Sequence, residues 1–400
     1  MGLAGRSAVD KVLTLRGGPE LVASWAQLGS IIELVAGVAL AGVGTGISVM
    51  VAQSARLDHQ QSLLRESLRL GLAVSVPAML AIAAVSACFP EALAGSGVSR
   101  ALLVSSAVIG CFAVVPGMVN GYWLGQQRRD RMLALSIAAA VLPLLAAVGA
   151  PQSGVLAALA VSQALPALAV VFVIGASSST PGASPQWEQN RRTLRRYVTP
   201  GVVIGVLTPA SMLAARSIVS SVMSWHDAGL LQSLWRVSDW VASVAGGIMA
   251  VYFLPRLSAA HGTPRFALEL RRTALMTIAP AAVALAMLFA LQRPVFALLY
   301  DASFRMSDTT VALFFAGSLA RIASWVPFFA LYAMRRTRAV TAGEFLSLPL
   351  FAALLGVFQD GLTLERASAL WLLAYLAYWL FNRTMVKRAR IHEPHGGRAD

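Results

Sequence analysis

The chain has 400 residues, of which 57% are hydrophobic and only 12% charged, with a mean hydropathy of +0.69. A soluble domain carries about a quarter of its residues as charges, so this composition excludes an ordinary soluble enzyme or binding module and describes an all-α polytopic membrane protein. The net charge of +14 would suggest nucleic acid in a soluble chain, but in a membrane protein it poses a question of topology, and no nucleic-acid partner is expected.

In chain order, residues 1 to 24 hold Arg6, Asp10, Lys11, Arg16 and Glu20 without an apolar core, so no cleavable signal peptide is expected. With a window of about twenty residues, apolar spans fall at 25 to 51, 68 to 89, 101 to 125, 132 to 150, 153 to 175, 198 to 221, 230 to 256, 273 to 292, 309 to 334, 339 to 357 and 366 to 386. These eleven spans are expected to be helices, because the alternating short strands of a barrel are absent from the pattern. Pro77, Pro116, Pro143, Pro166, Pro209, Pro280, Pro327 and Pro349 lie inside spans and are expected to kink them, statically or as bending points. GVGTG at 42 to 46 lacks the strand, lysine and hydroxyl of a phosphate loop and reads as helix packing or a hinge.

The loops divide into two sets. Twenty-two of the 32 basic residues fall in alternate loops and the tail, around Arg56, Arg128, Arg191, Arg265, Arg335 and Lys387, against seven on the other side. Positive-inside then places the C-terminus in the cytoplasm of a multi-pass protein, and the start of the first span outside. A basic N-terminal segment on the outer side implies either that a preceding span is missing or that the protein has eleven spans and an exported N-terminus. The polar stretch 181 to 197 reads as a cytoplasmic linker between an N-terminal lobe, 1 to 180, and a C-terminal lobe, 198 to 390, followed by a tail, 391 to 400. An internal shift of about 205 residues places Gln27 on Gln232, Gly42 on Gly247 and Glu33 nearly on Asp239, which fits a transporter of two parallel repeats.

Charges inside spans are the candidate chemistry: Glu33, Arg216, Arg236, Asp239, Arg321 and Glu344. Each costs at least about 2.5 kcal/mol on insertion scales, so it is normally retained facing water or a partner. Arg236 and Asp239 are three apart and share a helix face, either as a self-neutralising pair or as part of a cavity wall, beside the small residues Ser243, Gly246 and Gly247. Three guanidinium groups at this depth favour an anion such as a lipid pyrophosphate, with Asp239 and Glu33 as charge-balancing or coupling groups. Glu344, near the cytoplasmic edge, is expected to snorkel toward water. Trp25, Trp235, Trp240 and Trp325 read mainly as interfacial aromatics, with Trp235 as the one sugar-contact candidate. The five histidines lie in loops or the tail, so neither a metal nor a cofactor is expected, and Cys88 and Cys111 read as packing residues.

Trp225-His226-Asp227-Ala228-Gly229, Gln232, Val237-Ser238-Asp239 and Val251 to Ser258, together with Gln27-Leu28, Ala41 to Gly44 and Val51 to Gln53, resemble the Wzx-type flippases of the multidrug/oligosaccharidyl-lipid/polysaccharide exporter superfamily. Residues 321 to 344 are similar to that family's tenth and eleventh helices. The resemblance, nearest to flippases for enterobacterial common antigen and O-antigen units, implies a two-lobed bundle of twelve helices, the first missing or truncated here, with residues 3 to 17 as its remnant. It implies transport of an undecaprenyl-diphosphate-linked oligosaccharide from the inner to the outer leaflet by alternating access. Arg216, Arg236, Arg321 and Trp235 would contact substrate, and Asp239, Glu33 and Glu344 would balance charge or couple. Glycan polymerase and chain-length proteins are then expected partners besides the lipid bilayer. A multidrug cation exporter of the same superfamily is the competing transporter; a membrane glycan polymerase or ligase would need a larger outer loop than 90 to 100 or 293 to 308 provides.

Overall fold

In a computed structural model, residues 3–52, 54, 56–93, 98–176, 187–301 and 304–391 are described, with side chains left out at a few helical positions and throughout 171–204. The linker residues 181–186 and most of the tail, 392–400, lie outside them. The elements are helices throughout: α1 (Leu3–Ala39), α2 (Thr45–Ala52), α3 (Leu57–Cys88), α4 (Pro90–Leu93), α5 (Arg100–Gly125), α6 (Arg129–Gly149), α7 (Val155–Ala176), α8 (Trp187–Val222), α9 (Trp225–Ile248), α10 (Leu254–Ala260), α11 (Phe266–Ala290), α12 (Gln292–Leu299), α13 (Asp308–Ala333), α14 (Thr337–Glu344), α15 (Leu348–Val357) and α16 (Leu364–Ile391). Among the described residues nine helical stretches are long and apolar enough to cross a membrane. The expected spans 153 to 175 and 366 to 386 are helical as α7 and α16 but do not count among the nine; the apolar part of the first is the shorter Gln152–Leu168.

Helices run past the apolar spans at their polar ends. α3 begins at Leu57 rather than 68 and buries Gln60, Leu63, Leu64 and Ser67 in its first three turns, because these residues share one face against the bundle. α8 begins at Trp187, so the expected linker is helical over its second part. α1 holds two helical segments joined at Gly17 and Gly18, where Gly18 takes φ 63 and Pro19 opens the second. The first segment packs inward through Val9, Leu13 and Thr14, and its end is anchored by Arg16, which donates to the carbonyls of Val148 and Ala150 at the end of α6.

The chain divides into two units, Met1–Ser217 and Ile218–Asp400. They repeat one design. A π-helical turn interrupts the same long helix in each, at Leu40–Gly44 and at Met249–Phe253, an offset of 209. The helices α5 and α13 are both 26 residues long, and each is capped by a serine, Ser99 or Ser307, whose hydroxyl accepts from the amide three residues on, an offset of 208. Both also end with a residue in the left-handed region, Gln127 (φ 58) and Arg335 (φ 56), again 208 apart. In each case the next amide bonds back across six residues, Arg128 to Trp123 O at 3.0 Å and Arg336 to Leu331 O at 2.9 Å, closing the turn usually made with glycine. The repeat expected from sequence is therefore real, but its register is one helical turn longer than the shift of 205. The corrected offset of 209 carries Gln27 onto Arg236 and Ser30 onto Asp239.

Each unit has its own apolar core. In the first, Ile47, Val51 and Leu63 pack with Val115 and Val119; in the second, Leu257 and Phe266 pack with Leu331, Met334 and Val386.

Candidate functional site

In the second unit the stretch 225 to 260 is one continuous helix, α9 and α10 joined by the π turn. Ser224 starts it, accepting from the Asp227 amide at 3.0 Å and donating to the Asp227 carboxylate. Asp239 accepts a hydrogen bond at 2.7 Å from Nη1 of Arg321 on α13. The two side chains are 28% and 21% exposed, so water still reaches the pair. Asp239 thus finds its counter-charge on another helix, whereas its neighbour one turn back, Arg236, is buried at 9% exposure.

The pair is held in a close α9–α13 contact. The Arg321 guanidinium lies 5.5 Å from the centroid of Trp325, one turn further along α13. Trp325 in turn rests on Gly246, where a Cβ would stand 3.2 Å from the indole ring. Gly246 is therefore the small residue that admits a helix neighbour, while at Gly247 nothing comes within 4 Å.

A second polar group gathers at a break in the tenth span. Residues 337 to 357 form two helices, α14 ending at Glu344 and α15 starting at Leu348 with Pro349 in its first turn, a position where proline's missing donor does no harm. The Glu344 carbonyl is satisfied by the amide and hydroxyl of Ser347. The Glu344 carboxylate turns inward and accepts from the Tyr378 hydroxyl of α16 at 2.8 Å, which corrects the expectation that it snorkels to water. Arg321 and Glu344 lie close enough for their charges to act on each other. Beside them Asn382 is fully buried, and its amide oxygen and nitrogen make no hydrogen bond among the described residues. Tyr375, Tyr378 and Asn382 stand at i, i+3 and i+7 of one helix face, a spacing visible in the sequence but carried by uncharged residues that a search for charges passes over.

Trp235 is 1% exposed and meets Phe314, Phe351 and Trp371 edge-on at 5.7 to 6.3 Å between ring centroids. Its indole nitrogen has no hydrogen-bond partner among the described residues. Trp371 stacks on Phe314 with an interplanar angle of 3° and donates to Ser318 Oγ at 3.3 Å. A sugar ring reaches Trp235 only if this aromatic cluster opens.

In the first unit Arg216 is 1% exposed and joins α8 to α1. Its Nε donates to Gln27 Oε1 at 3.0 Å, and its Nη2 donates to the Ala26 carbonyl at 3.1 Å and to the Ser30 hydroxyl. Gln27 then donates to Ser217 Oγ at 2.8 Å. Ten residues further along α1, Gly37 and Gly205 bring the same two helices together so closely that a Cβ on Gly205 would lie 2.1 Å from the Gly37 carbonyl oxygen. Glu33 pairs with Arg6 of the N-terminal segment at 2.8 Å, with half of its side chain exposed. Among the described residues no group of three metal-ligating side chains occurs.

These helices, their two-fold repetition and the ion pairs inside spans define a multi-pass membrane protein with a two-lobed helical transporter fold. No protein-family model matches the chain, and no curated protein is similar to it. Several solved structures are. One is an inward-facing conformation of a multidrug resistance MATE family transporter of the MOP superfamily, 15% identical, covering 98% of this chain and 96% of that one, with a TM-score of 0.76. Another is a MATE crystal structure in complex with MaL6, 15% identical over 97% of this chain and 95% of that one, with a TM-score of 0.63. A third is a MOP superfamily transporter from Pyrococcus furiosus, described as having a binding pocket of reverse polarity that suggests a different function; it is 14% identical over 97% of this chain and 92% of that one, with a TM-score of 0.60. The chain therefore has the MATE-like fold.

Proposed function

We propose that the protein is a flippase that carries an undecaprenyl-diphosphate-linked oligosaccharide across the bacterial inner membrane by alternating access. The observation that carries this reading is the half-shielded Arg321–Asp239 pair inside the second unit. A guanidinium whose counter-ion is a single carboxylate oxygen can exchange that partner for a phosphate oxygen without being left unpaired, and its planar fork suits a diphosphate. Arg236 adds a buried cation one turn away on α9. Arg216, in the first unit, is a separate cationic candidate, held at present by Gln27 and Ser30. Asp239, released by phosphate, and Glu344, bonded to Tyr378, are the groups that would take up a proton or cation and couple the cycle. Trp235 would meet sugar only in a conformation that opens its aromatic cluster. The reversed pocket polarity and different function described for the Pyrococcus furiosus transporter support the idea that this fold is not confined to one kind of cargo.

The competing reading is a multidrug exporter, favoured by the MATE transporters that share the fold. A cationic drug would bind Asp239 or Glu344 and be repelled by Arg321 and Arg236. Proteoliposomes separate the two. With a fluorescent polyprenyl-diphosphate oligosaccharide, wild-type protein is expected to expose the label to an external quencher, and Arg321→Gln to slow this by about tenfold or more. Ethidium transport with an immobile lipid substrate would replace this proposal by the drug-export reading.

A further inference from the structure

A cavity of about 470 Å³ lies in the second unit where the end of α13, the start of α14 and the last turns of α16 meet. Arg335, Arg336, Arg338 and Arg388 line it, over an apolar floor of Leu331, Met385 and Ala389. No acidic residue is among the described residues that line it. Another cavity of this unit, about 570 Å³ beside α12, sets Arg293 and Arg305 against Asp301 and Asp308, so its charges balance from within the protein. Arg388 has an interaction of its own, whereas Arg335, Arg336 and Arg338 meet no acidic side chain among the described residues that line the cavity.

We propose that this cavity binds the phosphodiester headgroup of an anionic phospholipid. Its volume lies in the range of small-molecule sites, and a charged rim over an apolar floor matches an amphiphile rather than a fully hydrated ion. Its first-turn amides add to the attraction, because α14 opens into the cavity and its N-cap residue, Arg336, makes no side-chain cap.

Two observations separate this site from a positive-inside loop. Arg335 occupies the left-handed position that closes α13, where glycine is the unstrained residue. The repeated turn in the first unit then shows what the fold itself requires: at the positions of Arg335 and Arg338 it carries Gln127 and Asp130. Closing the turn does not need arginine at either place. The added charges face the end of the bundle that the basic loops assign to the cytoplasm, the leaflet richest in anionic lipid. The proposal holds whichever cargo the protein carries.

The test uses the full-length protein, with native mass spectrometry of retained lipid from mixed phosphatidylglycerol and phosphatidylcholine membranes. Wild type is expected to retain phosphatidylglycerol, and Arg336→Gln/Arg338→Gln to lower that retention by roughly tenfold or more. Arg128→Gln/Arg129→Gln, which removes two charges from the repeated turn, is expected to leave retention unchanged. Equal loss in both double variants, or no preference in wild type, overturns the proposal. Displacement of the lipid by millimolar inorganic phosphate or pyrophosphate assigns the cavity to a soluble anion and also overturns it. Arg335→Gly relieves the left-handed strain and so folds at least as well as wild type; it is expected to weaken retention, and unchanged retention removes Arg335 from the site.

Discussion

Arg321 of α13 reaches 82 residues back along the chain to donate a 2.7 Å hydrogen bond to Asp239 of α9. This one contact gives Asp239 a counter-charge on another helix.

Removing either member of that pair strands its partner in a poorly hydrated contact. Arg321→Gln and Asp239→Asn are each expected to lower stability by about 1–3 kcal/mol, less than a fully buried pair because water reaches both groups. The double variant is expected to recover about 1–2 kcal/mol of the summed loss. Unfolding midpoints in detergent measure this, and strictly additive losses would show that the two charges do not interact.

The Arg216 clamp is a different case, since the guanidinium is 1% exposed and bonded to three groups of α1. Arg216→Gln is expected to destabilise the protein by about 2–4 kcal/mol and to reduce the folded yield. If Arg216→Gln folds like wild type and loses only translocation, the residue serves cargo rather than structure.

Glycine contacts should sort by geometry. Gly205→Ala forces a methyl into the Gly37 carbonyl and is expected to cost about 2 kcal/mol or more, whereas Gly247→Ala, with nothing within 4 Å, is expected to be neutral within about 0.5 kcal/mol. Thermal denaturation of the two variants side by side checks the difference.

Asn382 gives a test in which stability and activity separate. A fully buried amide without a hydrogen bond costs about 1–3 kcal/mol, so Asn382→Leu is expected to hold or raise the unfolding midpoint. The same change is expected to slow transport, because it removes a polar group beside Glu344 and Tyr378. Lower stability with normal transport would mean that Asn382 serves only packing.

Much of the architecture was legible from residue order. Eleven apolar spans, the internal repeat and the six charges inside spans follow from composition along the chain, and the structure finds a helix for each span. The repeat register was missed by one turn because the identities that suggested it, Gln27 on Gln232 and Gly42 on Gly247, occur only at 205 and are lost at 208 and 209. Only the π turns and the paired serine caps pin it. Glu344 was placed near water because it lies near the cytoplasmic edge of its span; the structure breaks that span before Leu348 and its carboxylate meets Tyr378.

The sequence by itself determined that this is a helical membrane protein built twice over, and which costly charges it keeps within its spans. Both follow from desolvation, which acts on each segment according to its own composition. Only the tertiary structure decided that Asp239 meets Arg321, that Arg216 is tied to Gln27 and Ser30, and that Trp235 is buried among aromatic rings. Successive side chains leave a helix about 100° apart, so a partner on another helix depends on how each is rotated and how closely it packs. Glycines such as Gly37, Gly205 and Gly246 set that distance, and their effect appears only when the neighbouring helix is in place.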